Sequence, residues 1–386
     1  MRVLVLGGDG YVGWPVALRF SERGWDVCVL ESFSRRRWLQ AAARRSLTPI
    51  RSWDERRTAW RELTGRRIDF IHDDLRRPAC AAQAIEEFRP DVVLQLAGQP
   101  SARWAGESLE QAVTTFETNV FASLRILWAI AERAPGAHLV KLGTMGEYGR
   151  PAIEIAEGEI DLIHKGRSDR LPFPQRPQTL YDLSKRHDSD NALFAARMWR
   201  LRLTILRQGA VYGVTTPETD IDPRLVTRFD YDPEFGAAIN RFCAFALADG
   251  EITIHGDAEA GYPFILLEDA VRCIELAVEH PPDPGSPVVM NQFGAIAPLR
   301  ELAEHVAESA AALGRPTQVT NESFAGSRST YRAASERLPA LGFRPSPIPS
   351  GARSTLRALW PHRRRILRSA LATETRRRPV YSGALR

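Results

Sequence analysis

Three side chains in the middle of the chain have the chemistry needed to oxidise an alcohol. Tyr181 and Lys185 stand four residues apart in a segment whose pattern predicts a helix, so they share one face. An ammonium held there favours the phenolate, so the tyrosine can exchange a proton near neutral pH. Thr144 follows an apolar run that predicts a buried strand, and its hydroxyl can bond the same substrate oxygen. We therefore predict a site that takes a proton from an alcohol while a hydride leaves its carbon.

The N-terminal residues predict the site that holds the hydride acceptor. An apolar, strand-like run is followed by three glycines in Gly-x-x-Gly-x-x-Gly spacing and then by a helical pattern. In that setting the glycines allow a tight turn, the approach of backbone amides to a pyrophosphate, and close packing of helix on strand. The residues assigned to this dinucleotide-binding loop are Gly7, Gly10, Tyr11, Val12 and Gly13.

Whether the cofactor is NAD or NADP depends on the residues at the end of the second predicted strand. Glu31 lies there, and a carboxylate in that place bonds the adenosine ribose diol and repels a 2′-phosphate. Arg35 and the two arginines after it could instead accommodate a phosphate. The carboxylate favours NAD as the cofactor, with Arg35 among the residues that contact it.

The third and fourth predicted strands end in further candidate cofactor contacts. Asp74, beside Leu75, could meet the adenine amino group or could serve only as a helix cap. The turn Leu96, Ala97 and Gly98 is small enough for the cofactor to pass close. Asn119, inside a long predicted helix over 107–134, could bond a neighbouring loop or the cofactor itself. Both alternatives stay open for Asp74 and for Asn119.

Composition excludes several other classes of protein. The 386 residues are 44% hydrophobic and 26% charged, as in an ordinary globular protein. The net charge of +5 comes from residues 351–386, which hold ten arginines and one glutamate. We interpret that segment as a solvated basic helix and loose tail, and we expect no nucleic-acid partner.

The remaining sequence features predict a cytoplasmic protein. No apolar run approaches the roughly 20 residues that span a bilayer, so no membrane association is expected. The first strand begins within two residues of the N-terminus, which predicts no secretory signal. The four cysteines are scattered without metal-ligand spacing, so they are predicted to be reduced core thiols, and no metal site is expected.

Several motifs resemble those of one known family. The chain is similar to the extended short-chain dehydrogenases that modify nucleotide sugars, and within them to the UDP-sulfoquinovose synthase branch. The resemblance covers nearly everything up to about residue 330. It is carried by the glycine loop, by Thr-Met-Gly-Glu-Tyr-Gly at 144–149, by Leu-Ser-Lys at 183–185 and by Thr-Arg-Phe-Asp-Tyr-Asp at 227–232.

The resemblance implies a cycle of transient oxidation. NAD would accept hydride from C4 of the sugar while Tyr181 takes the hydroxyl proton, and the ketone would acidify C5. Glu147 is the residue expected to do acid/base work at C5 and C6, and Asp182 stands where the family usually has His. The implied substrate contacts are Gln99, Thr144, Met145, Gly146, Glu147, Gln208, Tyr212, Arg228, Asn240 and Arg241, with Gln208 also on the cofactor.

Departures from the family pattern bear on the outcome of the reaction. Gly98-Gln99-Pro100-Ser101 and Tyr262-Pro-Phe-Ile-Leu266 each lack an arginine that the family carries. The expected function is therefore C4 oxidation followed by epimerisation or dehydration and re-reduction of the sugar. The alternatives are a true synthase that adds sulfite at C6, a nucleotide-sugar dehydrogenase, and a non-catalytic NAD-binding regulator. A UDP-sugar is favoured over a GDP-sugar, and a homodimer is expected.

The predicted architecture is α/β. A Rossmann-type, doubly wound parallel sheet over 1–210, with parts of 268–295 returning to it, is followed by a smaller α/β substrate-binding lobe over 211–345. Residues 346–386 are predicted as a basic helix and tail, of which the last dozen residues are expected to be disordered.

Overall fold

The computed structural model of the chain describes residues 1–255, 257–322 and 330–371, and the predicted disordered dozen lies outside these ranges. The strands are β1 (Arg2–Leu6), β2 (Asp26–Glu31), β3 (Ile68–His72), β4 (Val92–Gln95), β5 (His138–Thr144), β6 (Glu159–His164), β7 (Arg167–Pro172), β8 (Arg202–Gln208), β9 (Ala210–Tyr212), β10 (Glu251–His255), β11 (Gly261–Leu266), β12 (Val288–Gln292), β13 (Ala295–Pro298) and β14 (Gln318–Glu322).

The helices separate these strands. They are α1 (Gly13–Glu22), α2 (Ser34–Ala41), α3 (Trp53–Thr64), α4 (Cys80–Phe88), α5 (Ala102–Ala105), α6 (Leu109–Phe116), α7 (Ala122–Arg133), α8 (Leu180–Trp199), α9 (Pro217–Asp220), α10 (Ala238–Ala248), α11 (Leu267–Glu279), α12 (Leu299–Ala311), α13 (Arg337–Ala340), α14 (Ile348–Leu359) and α15 (Arg368–Leu371).

Seven parallel strands form the central sheet, in the order β12-β8-β5-β4-β1-β2-β3. These strands are rich in Val, Leu and Ile because helices cover both faces, and one apolar cluster lies on each side. The strand order reverses between β1 and β4, and open sheets of this type bind ligands at the carboxyl ends beside that point. The predicted doubly wound sheet is therefore confirmed.

The smaller lobe stands over those carboxyl ends. It holds the sheet β13-β11-β9, the pair β10-β14, and a core that α10, α12 and α14 share. The sequence predicted a solvated basic helix and tail from 346, but the helix there, α14, buries Ile348, Ala352, Leu356 and Leu359 in this core. Its arginines occupy the outer face of an amphipathic helix, so the charge of the segment masked its packing role.

The long predicted helix over 107–134 is helical but not regular. A π-helical segment, Glu117–Phe121, joins α6 to α7 and carries Asn119 in its middle. Such π segments are frequent at functional sites because they turn one side chain away from the helical repeat. This segment directs Asn119 towards the loop after β4.

A protruding hairpin was not anticipated from the sequence. Strands β6 and β7 pair antiparallel, and the hairpin projects into solvent with nearly all of its side chains exposed. Lys165 and Gly166 form its turn, with φ of +50° and +75°. Two positive φ angles in a two-residue loop match the right-handed twist of the strands.

Candidate active site

A cavity of about 840 Å³ lies between the carboxyl ends of the central strands and the smaller lobe. Most residues predicted for the site form its wall. They are Gly7, Gly10, Tyr11, Val12, Gly13, Glu31, Arg35, Asp74, Leu75, Leu96, Ala97, Gly98, Gln99, Thr144, Met145, Gly146, Tyr181, Lys185, Gln208, Arg228 and Asn240. The predicted residues outside the wall are Asn119, Glu147, Asp182, Tyr212 and Arg241.

The loop between β1 and α1 can be built only with glycine at its two ends. Gly7 has φ of +89°, a conformation that side chains disfavour. A Cβ at Gly13 would stand 2.1 Å from the Gly7 carbonyl oxygen, so the helix could not approach the strand as it does. The close approach leaves the start of α1 facing the cavity. This geometry fits the pyrophosphate of a dinucleotide.

Glu31 lies at the end of β2, where the adenosine ribose of a dinucleotide would lie. Its carboxylate accepts the backbone N–H of Asp9 at 3.0 Å and those of Ser32 and Phe33 at 2.8 Å. Burial, followed by the charge of Asp9, raises the pKa of Glu31. These three donors fix the direction of the carboxylate, as recognition of a ribose diol requires.

The arginines after β2 are engaged elsewhere. Arg36 donates to both carboxylate oxygens of Asp9, at 2.6 and 2.7 Å, and Arg56 reaches the same carboxylate at 2.8 Å. Arg35 turns to the smaller lobe and pairs with Asp230 at 2.9 Å. Sequence reasoning missed the role of Asp9. Because Arg36 is bonded to Asp9, the arginine cluster does not form a 2′-phosphate site around Glu31.

Two residues whose roles the sequence left open have mainly local partners. Asp74 lines the cavity, but its carboxylate accepts from the backbone and side chain of Arg76. Asn119 is buried and exchanges hydrogen bonds with the backbone of Gln99, at 2.8 and 3.0 Å, and donates to Ser184. The prediction of direct cofactor contact is therefore wrong for Asn119, because its buried amide bonds to the loop after β4 and to Ser184 on α8.

The predicted oxidation residues meet at the centre of the cavity wall. Thr144 and Tyr181 come from β5 and α8, and a hydrogen bond joins their side chains. Lys185, one turn beyond the tyrosine, donates to Asp188 at 3.1 Å. The same carboxylate oxygen lies 2.7 Å from the Nζ atom of Lys141, and both of these partners are fully buried. The catalytic lysine is thus held by a carboxylate that a second lysine also binds.

Burial and the neighbouring charges have opposite effects on the pKa values of Asp188 and Lys141. Burial acts to raise the pKa of Asp188, but Lys141 and Lys185 outweigh it and hold that pKa below its ordinary value. Burial lowers the pKa of Lys141 to about 8, although Asp188 counteracts the effect. The cluster was not predicted. The Lys185-x-x-Asp188 spacing on one helix is a signal that could have revealed half of it.

The phenol of Tyr181 does not show the expected lowering of its pKa. Burial, then the carboxylates of Asp182 and Glu147, raise that pKa, while the hydrogen bond with Thr144 acts in the opposite direction. Without a ligand the phenol is therefore protonated at neutral pH.

Glu147 lies behind the cavity, which contradicts the predicted role at C5 and C6. The residue is fully buried, accepts the backbone N–H of Thr144 at 2.9 Å, and pairs with Arg207 at 3.1 Å. Together with the side chain of Thr144 it forms a capping box around the short helix after β5. Its carboxylate positions Thr144 and has no free approach to a substrate.

Asp182 lies outside the cavity wall and packs against Gly146, which is part of that wall. It caps the start of α8 together with Thr179, whose hydroxyl donates to it at 2.7 Å. A Cβ at Gly146 would lie 2.0 Å from its other oxygen, so glycine is required there. Burial raises the pKa of Asp182 to about 6. This carboxyl can therefore exchange a proton near neutral pH, which Glu147 is not placed to do.

The far end of the cavity, in the smaller lobe, is rich in arginine. Arg228 and Arg35 share the carboxylate of Asp230, at 3.1 and 2.9 Å. Each of the two arginines keeps one buried Nη1 atom without a partner among the described residues, and Arg241 nearby has two such nitrogens. Buried donors of this kind are costly unless a ligand accepts from them. The end therefore suits a diphosphate.

The remaining side chains predicted to contact the substrate are hydrogen-bonded or packed within the protein. Tyr11 donates to the Gly213 carbonyl and accepts from Asn240, and the Asn240 side-chain oxygen accepts the N–H of Gly213 at 3.1 Å. The predicted contact for Tyr212 is wrong, because its ring is buried in the small-lobe core against Gly351. Gln208 donates to Gln292 at 3.0 Å and keeps a face on the cavity.

The glycine loop, Tyr181 and Lys185 line one cavity, and the tyrosine and lysine lie one helical turn apart. This arrangement is that of an NAD-dependent enzyme of the short-chain dehydrogenase type. The chain belongs to the NAD dependent epimerase/dehydratase family, whose profile matches residues 3–291. Members of this family act on nucleotide sugars. The predicted family, enzyme class and cofactor are therefore confirmed.

Two relatives cover most of the chain. The chloroplastic UDP-sulfoquinovose synthase of Spinacia oleracea is 40% identical over 89% of this chain and 72% of its own length. The UDP-sulfoquinovose synthase of Sulfolobus acidocaldarius is 32% identical over 95% of both chains. A UDP-glucose 4-epimerase of Yersinia enterocolitica is 28% identical over only 33% of this chain.

Solved structures share the fold. The UDP-glucose 4-epimerase of Thermotoga maritima, determined with UDP-glucose, superposes with a TM-score of 0.69 at 20% identity, over 92% of this chain and 98% of that one. A Thermus thermophilus UDP-glucose 4-epimerase, in complex with NAD, superposes with a TM-score of 0.65 at 24% identity, over 95% of this chain and 100% of that one. Among the described residues no helix is long and apolar enough to cross a membrane.

Proposed function

We propose that this enzyme oxidises the C4 hydroxyl of a UDP-linked hexose and then replaces the C6 hydroxyl by sulfonate. The observation that carries the proposal is one cavity that is lined by the glycine loop, by Tyr181 and by Arg228, whose buried Nη1 atom has no partner among the described residues. A nucleotide sugar bound in this cavity would place its diphosphate at the arginine-rich end and its sugar beside Tyr181. The two relatives that cover most of the chain favour sulfonate formation over epimerisation, and UDP over GDP.

The residues present fit NAD, because the glycine loop, Glu31 and the small turn after β4 line one continuous wall. Bound there, NAD would supply the hydride acceptor for oxidation at C4 and the hydride for the later reduction. Tyr181 accepts the proton of the C4 hydroxyl while Thr144 holds the same oxygen. Lys185, oriented by Asp188, supplies the positive charge that favours the phenolate.

The C4 ketone acidifies the C5 hydrogen, and we assign its removal to Asp182. The C5–H electron pair then forms the C5–C6 double bond, and the C6 hydroxyl leaves as water with a proton. Sulfite adds through sulfur to C6, and C5 regains a proton. The net change converts UDP-glucose, sulfite and one proton into UDP-sulfoquinovose and water. The pKa of about 6 suits Asp182 to both proton transfers.

Replacing Tyr181 by Phe tests the oxidation step. We expect Tyr181→Phe to lose about a thousandfold in turnover, because general acid/base catalysis commonly contributes that much. NAD binding, measured by fluorescence quenching, should persist. Tyr148→Phe is the matched control, because its hydroxyl is buried outside the cavity and bonded to Asn291 at 2.9 Å. Unchanged turnover in Tyr181→Phe would sink the proposed chemistry.

We also propose that two copies associate through α6, α7 and α8. These helices leave large apolar side chains in solvent, including Leu109 (81% exposed), Phe194 and Met198 (both 61%), and Trp128 (54%). A concentration of exposed large apolar side chains on neighbouring helices favours a protein interface there. Light scattering at twice the chain mass would support a homodimer, and a single chain mass would contradict it. In the same enzyme, residues 1–210 with parts of 268–295 would hold NAD, and 211–345 the nucleotide sugar.

A further inference from the structure

Arg150 has no role in the chemistry described so far, and its guanidinium faces the same cavity. It follows the turn that starts at Thr144, so it lies at the oxidation end of the cavity. The guanidinium carbon stands 4.4 Å from the ring centre of Tyr262 and 5.6 Å from that of Tyr331. Both rings also line the cavity. Two aromatic faces thus hold a cation beside the reacting sugar.

One nitrogen of this cation has no partner. The Nη1 atom of Arg150 is buried and makes no hydrogen bond to any residue that the structure describes. The nearby acid is Asp182, whose charge Arg150 offsets without forming an ion pair within 4 Å in the described ranges. The charge of Arg150 also opposes the rise in the pKa of the Tyr331 phenol that burial and Asp182 cause. An unpartnered buried guanidinium donor suits an anionic acceptor from outside the protein.

The other arginines around the cavity serve a different end. Arg35 and Arg228 are paired with Asp230 in the smaller lobe, and Arg207 is paired with Glu147 behind the wall. The remaining cations of the wall are also paired, Arg76 with Asp74, Arg103 with Glu107 and Lys185 with Asp188. Among the described arginines that line the cavity, Arg150 is the one that pairs with no carboxylate. The segment 262–266 lacks the arginine that the family carries there. Arg150, which contacts Tyr262 from another part of the chain, could hold an anion in its place.

We propose that Arg150, between Tyr262 and Tyr331, is a binding site for a small oxyanion at the reacting end of the sugar. This inference rests on the proposed function, because it places sulfite next to the carbon that it attacks. Two of the sulfite oxygens would accept from the guanidinium, which leaves the sulfur lone pair free to form the C6–S bond. The same site would accept a carboxylate already attached at C6.

The test uses the full-length, NAD-loaded enzyme with Arg150→Gln, Arg150→Lys and a matched control. Arg167→Gln serves as the control, since it removes an equal charge from the exposed hairpin. Initial rates with UDP-glucose and varied sulfite give the KM for sulfite. In a second arm, calorimetry measures the binding of UDP-glucuronate and of UDP-glucose to each variant. Thermal melting confirms that each variant is folded.

We expect Arg150→Gln to raise the KM for sulfite by about tenfold to a hundredfold, since a charge-assisted hydrogen bond contributes that much. This rise should exceed any change in the KM for UDP-glucose, and Arg150→Lys should restore part of the loss. A weakened affinity confined to UDP-glucuronate would identify an anion carried on the sugar and would also support the site. An Arg150→Gln enzyme unchanged in both arms would overturn it.

The two arms separate failure of this site from failure of the proposed function. If the wild-type enzyme forms no sulfonate product, the proposed reaction is wrong. The calorimetric comparison of UDP-glucuronate with UDP-glucose then still decides whether Arg150 binds an anion. Equal preference for the two sugars in wild type and in Arg150→Gln would reject the site in that case.

Discussion

The two ends of the cavity differ in whether their positively charged side chains have partners within the protein. Beside Tyr181 the protein supplies its own counter-charge, because Asp188 binds both Lys185 and Lys141 within 3.1 Å. In the smaller lobe, Arg228 and Arg241 keep buried nitrogens without partners among the described residues. The first arrangement is complete before any ligand arrives. The second is complete only when an anion accepts from the arginines, so binding free energy comes mainly from that end.

The comparison also separates positioning from recognition. Removing a charge from the complete end should damage folding and turnover together, because buried partners lose their counter-charge. Removing one from the incomplete end should weaken substrate binding and leave folding nearly unchanged. Two substitutions test this difference, and a third tests the protonation of the acid beside Tyr181.

Asp188→Asn should have the largest effect. It leaves Lys141 and Lys185 buried without a carboxylate, so we expect a loss of about 3–5 kcal/mol in the free energy of unfolding. Turnover should also fall by about a hundredfold, because Lys185 loses its orientation. Urea unfolding and initial rates measure the two losses. Adding Lys141→Met should recover stability but not turnover, and recovery of both would show that the cluster is purely structural.

Arg228→Gln should have an intermediate effect, confined to the nucleotide. Asp230 remains paired with Arg35 at 2.9 Å, so the melting temperature should hardly change. The Kd for UDP should rise by about tenfold, because one charge-assisted hydrogen bond is lost. Calorimetry with UDP and with NAD checks this, since NAD binding should not change. A large fall in melting temperature with unchanged UDP affinity would reverse the comparison.

Asp182→Asn should have the smallest effect on stability, and this effect depends on pH. Burial raises the pKa of Asp182 from the ordinary 3.8 to about 6 in the folded protein. The unfolded chain therefore releases this proton first, and the contribution to stability, present at low pH, is lost as pH rises through about 6.

The stability of Asp182→Asn relative to wild type should therefore increase by about 1 kcal/mol between pH 4 and pH 7, after allowance for partial exposure. Urea unfolding across this pH range measures it, and Asp190→Asn, an exposed carboxylate on the same helix, is the control. Parallel curves for wild type and Asp182→Asn would contradict the raised pKa.

The cofactor half of the molecule could be predicted because its signals are local. The glycine spacing, the strand before it and the helix after it lie within two dozen residues, and each depends on backbone geometry. The position of Glu31 followed directly from the end of a strand. Asp9 was missed because its partners, Arg36 and Arg56, come from two later helices that no spacing rule connects to the loop.

The substrate half was less predictable, because motif membership does not give the direction of a side chain. Glu147 stands three residues after Thr144, a capping-box spacing that indicates a carboxylate turned back to the backbone. The resemblance to a family instead suggested a catalytic role. Arg150 had no signal at all, because its aromatic partners lie more than a hundred residues further along the chain.

The most direct test of the account is one reaction of the NAD-loaded enzyme with UDP-glucose in D2O, with and without sulfite, analysed by mass spectrometry and proton NMR. The account predicts a sulfonated nucleotide sugar that forms only with sulfite and carries solvent deuterium at C5. A C4 epimer without deuterium, and no sulfonate at any sulfite concentration, would contradict it.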